Sequence, residues 1–387
     1  MRSERAYLDW NATAPLRPEA REAMLTAMNL PGNASSVHAE GRAARAAIET
    51  ARERVAALVG AHASEVVFAS GATEANAIVL GGRKWGSFVS SAMEHPSVAD
   101  PTGVAGTLQI TAGPDGRSGI DADLGSMLAS VRVDTKGEAW RLPGPLLLSH
   151  HLANGETGVV HDIGTLVSVC RRVRPDAVIH ADAVQAAGKI PLSFKDLGVD
   201  AMTLSAHKLG GPKGIGALIL RDGLELDPLM RGGGQERRLR PGTENVAAIA
   251  GFGAAAEAAC RNLAGEARHM TALRDRLEAG VHDATPEAVI VGRNAPRLPG
   301  TSCIALPGRT SELLVIALDL AGIAVSAGSA CASGKVAASP TLIAMGLGAD
   351  IQRSAIRVSL GWATTDKDIA AFLAAWTTIA ATRRAAA

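Results

Sequence analysis

Hydrophobic and polar positions along the chain follow two periods. Over residues 40–59, Ala44, Ile48, Ala51, Val55 and Leu58 recur at helical spacing among charged residues. That predicts a helix with one apolar stripe turned toward a core. Short apolar runs follow, each closed by small or polar residues: EVVFAS (65–70), SFVSSAM (87–93), PLLLSHHLA (145–153), AVIHADAV (177–184), AMTLSAH (201–207) and IGALIL (215–220). Runs this short and continuous read as strands buried on both faces, so an α/β fold is expected, with a parallel sheet covered by helices. In such sheets ligands bind beyond the carboxyl ends of the strands, and most of these runs end in residues able to do chemistry. From about residue 243 the texture changes to a long Ala-rich helical region (244–283). It leads to AVIVG, TSCIALPG, a helix near 311–321, IAVSAGSA, AIRVSLG and a final helix. That last helix opens with Thr365 and Asp368 in a capping-box-like start and carries Ile369, Phe372, Trp376 and Ile379 on one face. The expected division is a large domain over 14–255 and a smaller α/β domain made of 1–13 and 256–387.

Composition narrows the functional classes. A chain of 387 residues exceeds one ordinary core, and 47% hydrophobic with 20% charged residues marks it as globular. A formal net charge of +1 gives no electrostatic reason to expect nucleic acid or an anionic membrane as partner. The opening MRSERAYLDW lacks an apolar leader core, and no run of about 18 apolar residues could span a bilayer. The four cysteines, Cys170, Cys260, Cys303 and Cys331, form no CxxC pair. No metal site and no disulfide framework are expected from them, and free thiols fit a reducing cytoplasm. Cys170, Cys260 and Cys303 read as small core residues. Aromatics are only 3%, so the cores must be built from Ala, Val, Leu and Ile.

Four stretches carry candidate chemistry. SAGSACASGK (326–335) surrounds Cys331 with residues too small to wrap its sulfur. It is either a turn in which Cys is one more small residue or a mobile arm carrying a reactive thiol. FASGATEANAIVLGG (68–82) is a strand, a small-residue turn and a helix, whose N-terminal N–H groups can hold a phosphate. VIHADAVQAAGK (178–189) ends a strand with Asp182, followed by Gln185; the acid is a helix cap or a carboxylate opposite a cationic ring nitrogen. MTLSAHKLGGPKGIGALIL (202–220) delivers Ser205, His207 and Lys208 into a glycine-rich turn. A lysine at a buried strand end has its pKa lowered by desolvation, which suits Schiff-base chemistry; Lys213 is the better candidate for a plain surface lysine. GGPKGIG lacks the GxxxxGK[ST] spacing of a nucleotide loop. An amine, an acid and a phosphate-holding helix end together describe a pyridoxal 5′-phosphate site. His95, in SAMEHPSV, is placed at another strand end and could stack on the ring and move protons.

At these motifs the chain resembles the cysteine desulfurases of the class V aminotransferase group, from YLDWNATAPLRPEA and GNASSVHAEGR to SAHKLGGPKGIGAL, RGGGQERRLRPGTENV, SAGSACASG and SAIRVSLG. The resemblance implies a pyridoxal-phosphate-dependent transferase of fold type I, with a mainly parallel seven-stranded sheet and a smaller C-terminal domain. It implies Lys208 as the cofactor-bonding lysine, Asp182 on the pyridine nitrogen, Gln185 on the phenolic oxygen and His95 stacked on the ring. Ala72, Thr73, Ser205 and His207 would hold the phosphate, with Thr243 reaching over from the partner subunit of a homodimer. Arg357, Asn154 and Asn33 would bind the substrate. L-Cysteine would lose its sulfur to Cys331, leaving alanine and a persulfide for a protein acceptor such as an iron–sulfur scaffold. One departure stands out: many relatives read ANNETG where this chain has ANGETG, so Gly155 replaces an Asn. The same fold carries selenocysteine lyases and aminotransferases. Transamination needs no thiol, so Cys331 argues against it, and retention of Lys208, Asp182 and Cys331 argues against a non-catalytic binding protein.

Overall fold

The computed structural model describes residues 5–99, 106–119, 122–129, 132–133, 139–140, 142, 144–328 and 338–384; Cys331 lies outside the described residues. The apolar runs become strands β1 (Val66–Ala69), β2 (Ser87–Ser91), β4 (Leu146–His151), β5 (Val178–Asp182), β6 (Ala201–Ser205) and β7 (Gly216–Leu220), buried at every position. A further strand, β3 (Gly106–Ile110), completes a seven-stranded sheet in the order β1-β7-β6-β5-β4-β2-β3. Its sequence alternates polar with apolar residues because one face is open, with Thr107 and Gln109 exposed and Ile110 buried, so it lacks the continuous run of the other strands, including β1 at the opposite edge, which is buried throughout. β7 runs antiparallel to both neighbours and the other pairs are parallel. Ala69 and Ser205 both register with Gly216, so the loops leaving β1 and β6 emerge side by side at one end of the sheet.

Helices α1 (Pro18–Met28), α2 (Ala39–Leu58), α3 (Ala72–Gly81) and α4 (Ile163–Val173) accompany this sheet. The stripe Ala44, Ile48, Ala51, Val55 and Leu58 of α2 is buried against the sheet core that also holds Ile179 and Met202. The Ala-rich region forms one 39-residue helix, α5 (Val246–Ala284). Its small residues permit close helix contact: a Cβ on Gly253 would stand 2.5 Å from Ala51 Cα of α2.

The second half of α5 supplies Leu273, Leu277 and Val281 to another core, shared with Ile304, Leu314, Ile356, Phe372 and Trp376. Here β8 (Val289–Val291), β9 (Thr301–Ala305), β10 (Ser326–Ala327) and β11 (Ala355–Ser359) form an antiparallel sheet in the order β8-β9-β11-β10. Helices α6 (Ser311–Leu320) and α7 (Asp366–Arg384) cover it. The Thr365 N–H donates to Asp368 Oδ2 at 2.7 Å and the Asp368 N–H to Thr365 Oγ1 at 3.4 Å, closing the expected capping box. Ala6–Tyr7 pairs in parallel with Ile323–Ala324, so the N-terminal arm attaches to this second unit before the chain enters the first. Among the described residues no helix is long and apolar enough to cross a membrane.

Candidate active site

Lys208 follows β6 in a short 3-10 turn, half-buried, with its Nζ donating to the carbonyls of Asn11 at 2.6 Å and Ala12 at 2.9 Å. Lys213, further along the glycine-rich turn, is exposed. The neighbouring strand β5 ends in the buried Asp182. Its Oδ1 caps the following turn, accepting the Val184 N–H at 3.0 Å, while Oδ2 accepts from Asn76 Nδ2 at 3.1 Å. The same Asn76 amide donates to Ser97 Oγ at 2.9 Å, which lies 2.8 Å from His95 Nδ1. Because the Ser97 backbone N–H also donates to His95 Nδ1 at 3.1 Å, a neutral His95 ring carries its hydrogen on Nε2. The His95 ring is exposed. Asn76 therefore ties acid and imidazole together.

At the adjacent loops the backbone leaves room for an anion. Gly71, extended at φ 167°, precedes α3, which begins at Ala72 and Thr73 without a side-chain cap. A Cβ on Gly71 or on Gly214 would meet nothing within 4 Å. A Cβ on Gly216, by contrast, would stand 2.7 Å from the Leu204 carbonyl oxygen and 2.9 Å from Gly71 Cα, so β7 is packed backbone to backbone against this loop. Open space beside an uncapped helix N-terminus suits a phosphate. Ser205 is buried at the end of β6, and His207 lies 3.2 Å from Thr13 Oγ1. Burial, with Lys208, Lys213 and Lys189 adding positive charge, pushes the His207 pKa down to about 4, so its ring is neutral at pH 7. Thr243 lines a small cavity together with Ser70 and Gly214 of its own chain.

The second unit contributes Arg357 from β11. Its Nη2 pairs with Asp9 Oδ1 at 2.8 Å and its Nη1 donates to the Gly155 carbonyl at 3.2 Å, while its buried Nε has no partner among the described residues. Asn11 connects this group to Lys208: its Nδ2 also donates to the Gly155 carbonyl, at 3.1 Å. Gly155 thus sits between Arg357 and Gln185, and a Cβ there would stand 3.0 Å from Gln185 Nε2. Asn154 is buried, and its Oδ1 is committed to its own turn, accepting the N–H groups of Glu156 and Thr157 at 2.9 Å each. Asn33 is exposed at the approach to α2, with its Oδ1 accepting the Ser35 N–H at 2.8 Å.

The thiols separate by burial. Cys170 and Cys303 are core residues; burial pushes the Cys170 pKa up to about 11 and raises that of Cys303 well above the usual thiol range. Cys260 corrects the expectation of a small core residue, because it lies exposed on α5.

Sequence reading missed three further groups. Asn11 and Lys189 lie inside quoted motifs, yet their meeting depends on the N-terminal arm crossing back to the β5 turn: Lys189 Nζ donates to Asn11 Oδ1 at 2.7 Å. The third is a buried cluster of Glu94, His150, His151 and His161. His151 Nδ1 lies 2.9 Å from Glu94 Oε1, His151 Nε2 lies 3.1 Å from His161 Nε2, and His150 Nε2 lies 2.8 Å from Ser118 Oγ. Glu94, His150 and His151 are close enough to share a metal ion, where the cysteine pattern had suggested none.

Comparison with known proteins bears on this arrangement. The model of the aminotransferase class-V family matches residues 6–372. The chain is 41% identical over 378 residues to a cysteine desulfurase of Cereibacter sphaeroides, covering 95% of this chain and 93% of that protein. It superposes on a NifS-like protein from Rickettsia africae with a TM-score of 0.87 at 33% identity, over 97% of this chain and 99% of the other. It also superposes on SspA in complex with cysteine, with a TM-score of 0.76 at 28% identity, over 93% of this chain and all (100%) of that one.

Proposed function

Because this chain belongs to the class-V aminotransferase family, and within it to the cysteine desulfurases, we propose that the Lys208 site takes sulfur from L-cysteine, leaving L-alanine and a persulfide on Cys331. The protein is an enzyme, a cysteine desulfurase. One observation carries the site assignment: the Lys208 amine, the Asp182 carboxylate and the uncapped end of α3 converge at neighbouring strand ends, joined to Arg357 through Asn11 and Gly155.

Pyridoxal 5′-phosphate fits these residues. Asp182, anchored by Asn76, suits a protonated pyridine nitrogen; the space beside Gly71, Ala72, Thr73, Ser205 and His207 suits the phosphate; and the exposed His95 ring suits stacking. When bound, the cofactor supplies an electron sink that weakens the substrate's C–S bond. The residues do the rest. Lys208, half-buried, holds its amine on two backbone carbonyls, aimed by the strand end. His95 presents an N–H at Nε2 and can pass a proton there. Arg357 takes the substrate carboxylate, its buried Nε having no partner among the described residues, while Asp9 on Nη2 and the Gly155 carbonyl on Nη1 hold the guanidinium in place. The Cys331 thiolate attacks the substrate sulfur; a new S–S bond forms, the C–S bond breaks, and its electron pair is protonated at carbon to give alanine. Cys170 and Cys303, held protonated by burial, are unsuited to that role.

The wider assignment includes a homodimer in which Thr243 reaches the partner's site, a protein acceptor such as an iron–sulfur scaffold, and a cytoplasmic location in keeping with unpaired cysteines. Two cores divided along α5 support a large unit over 14–255 and a smaller one over 1–13 and 256–387. The test is spectroscopic. Purified protein given pyridoxal phosphate should turn yellow and keep the absorbance band through desalting, and Lys208→Ala should abolish it. A band retained in that variant would remove Lys208 from the site.

A further inference from the structure

Lys189 ends the stretch VIHADAVQAAGK, seven residues after Asp182. It is only 8% exposed, an unusual place for an ammonium group. The charged groups that face it are Lys208 and Arg357, both cationic. Burial and these two charges pull its pKa well below the usual lysine range. Its hydrogen bonds go to two amide oxygens, Asn11 Oδ1 at 2.7 Å and Gln185 Oε1 at 3.0 Å. Its N–H groups serve both oxygens at once.

Those two contacts decide the orientation of both amides. An amide can be turned end for end unless its partners distinguish oxygen from nitrogen. Lys189 donates, so each amide must show it the oxygen. The nitrogens then face the other way. Asn11 Nδ2 meets Gly155 O at 3.1 Å and Thr301 Oγ1 at 2.9 Å, and Gln185 Nε2 meets Asn11 O at 3.1 Å. Asn11 O is the same carbonyl that holds the Lys208 amine at 2.6 Å. Turning Asn11 would set its oxygen against the Gly155 carbonyl, which also accepts from Arg357.

We propose that Lys189 is a positioning residue for this site: by donating to Asn11 and Gln185 at once, it fixes the carbonyl that holds Lys208 and makes Gln185 present N–H rather than oxygen toward the reacting group. The proposal rests on the pyridoxal phosphate reading, in which Gln185 faces the ring's phenolic oxygen. With Lys189 in place, an N–H meets that oxygen and favours its anionic form. Without Lys189 only the Asn11 carbonyl still selects the Gln185 nitrogen, and wherever the amide turns, oxygen faces oxygen and a proton held there is released only at higher pH.

The experiment is a pH titration of the bound cofactor's absorbance band in the holoenzyme. Lys189→Met should move the midpoint up by about one pH unit. Lys189→Gln restores a neutral donor and should bring it most of the way back. Gln185→Leu should also move it up, and the double variant with Lys189→Met no further, because the two residues act through one contact. An unmoved midpoint in folded Lys189→Met, equal shifts in the Met and Gln variants, or additive shifts in the double variant would each overturn the proposal. If Lys189→Met is not folded by circular dichroism, Gln185→Leu carries the comparison, since it leaves Lys189 bonded to Asn11; an unmoved midpoint there overturns the proposal too. Absence of any cofactor band in the wild-type protein would instead refute the underlying cofactor assignment.

Discussion

Burial sets the chemistry of individual residues here, and the thiols of Cys170, Cys260 and Cys303 illustrate it. Cys170 and Cys303 are sealed in the cores with raised pKa values, whereas Cys260 is exposed on α5. A thiol-disulfide reagent applied to the native protein should therefore label Cys260, and Cys170 and Cys303 only after unfolding. Labelling of Cys303 in the folded protein would contradict its burial. Histidine makes a second case. His150 has no exposed surface, and burial, with His151 adding positive charge, holds its pKa near 4 against 6.5 when unfolded. The unfolded chain binds that proton first, so stability is lost as pH falls from 6.5 toward 4. The loss at pH 5 is about 2 kcal/mol. Chemical unfolding at pH 7 and 5 should show a smaller acid loss in His150→Gln than in the wild type, and an equal loss would contradict it. Residue identity alone singled out Lys208 and Asp182, because both lie at the ends of apolar strands. It could not single out Lys189, whose partner Asn11 lies far away in the chain.

At the level of elements, strand packing shapes the loop ahead of α3. Gly216 opens β7 between Ala69 of β1 and Ser205 of β6, and the space its Cβ would need is filled by rigid backbone. Gly216→Ala must push the Gly71 loop away from its place ahead of α3. The variant should stay folded yet bind pyridoxal phosphate at least about tenfold more weakly, a loss of roughly 1.4 kcal/mol. Equal affinity by equilibrium dialysis would mean the loop does not hold the phosphate. The elements themselves were largely legible. Continuous apolar runs gave the inner strands, and the stripe on α2 gave its buried face. The strand Gly106–Ile110 was not, because Thr107 and Gln109 face solvent and break the apolar run, whereas Val66–Ala69 at the other edge is buried throughout.

Across the whole molecule, the N-terminal arm joins the two units at the site. Asp9 pairs with Arg357 of the second sheet, while the Asn11 carbonyl holds Lys208 beside the first, so Arg357 and Lys208 are fixed relative to one another. Sequence order showed the motifs but not this bridge, which arises only when Ala6–Tyr7 docks beside Ile323–Ala324 and brings the arm across. The most direct measurement of the central claim is product formation from L-cysteine by the cofactor-loaded enzyme. Wild-type protein with a reducing agent should release alanine and sulfide in equal amounts, and Cys331→Ala should retain the cofactor band while sulfide release falls at least about a hundredfold. Undiminished sulfide from Cys331→Ala would contradict the account.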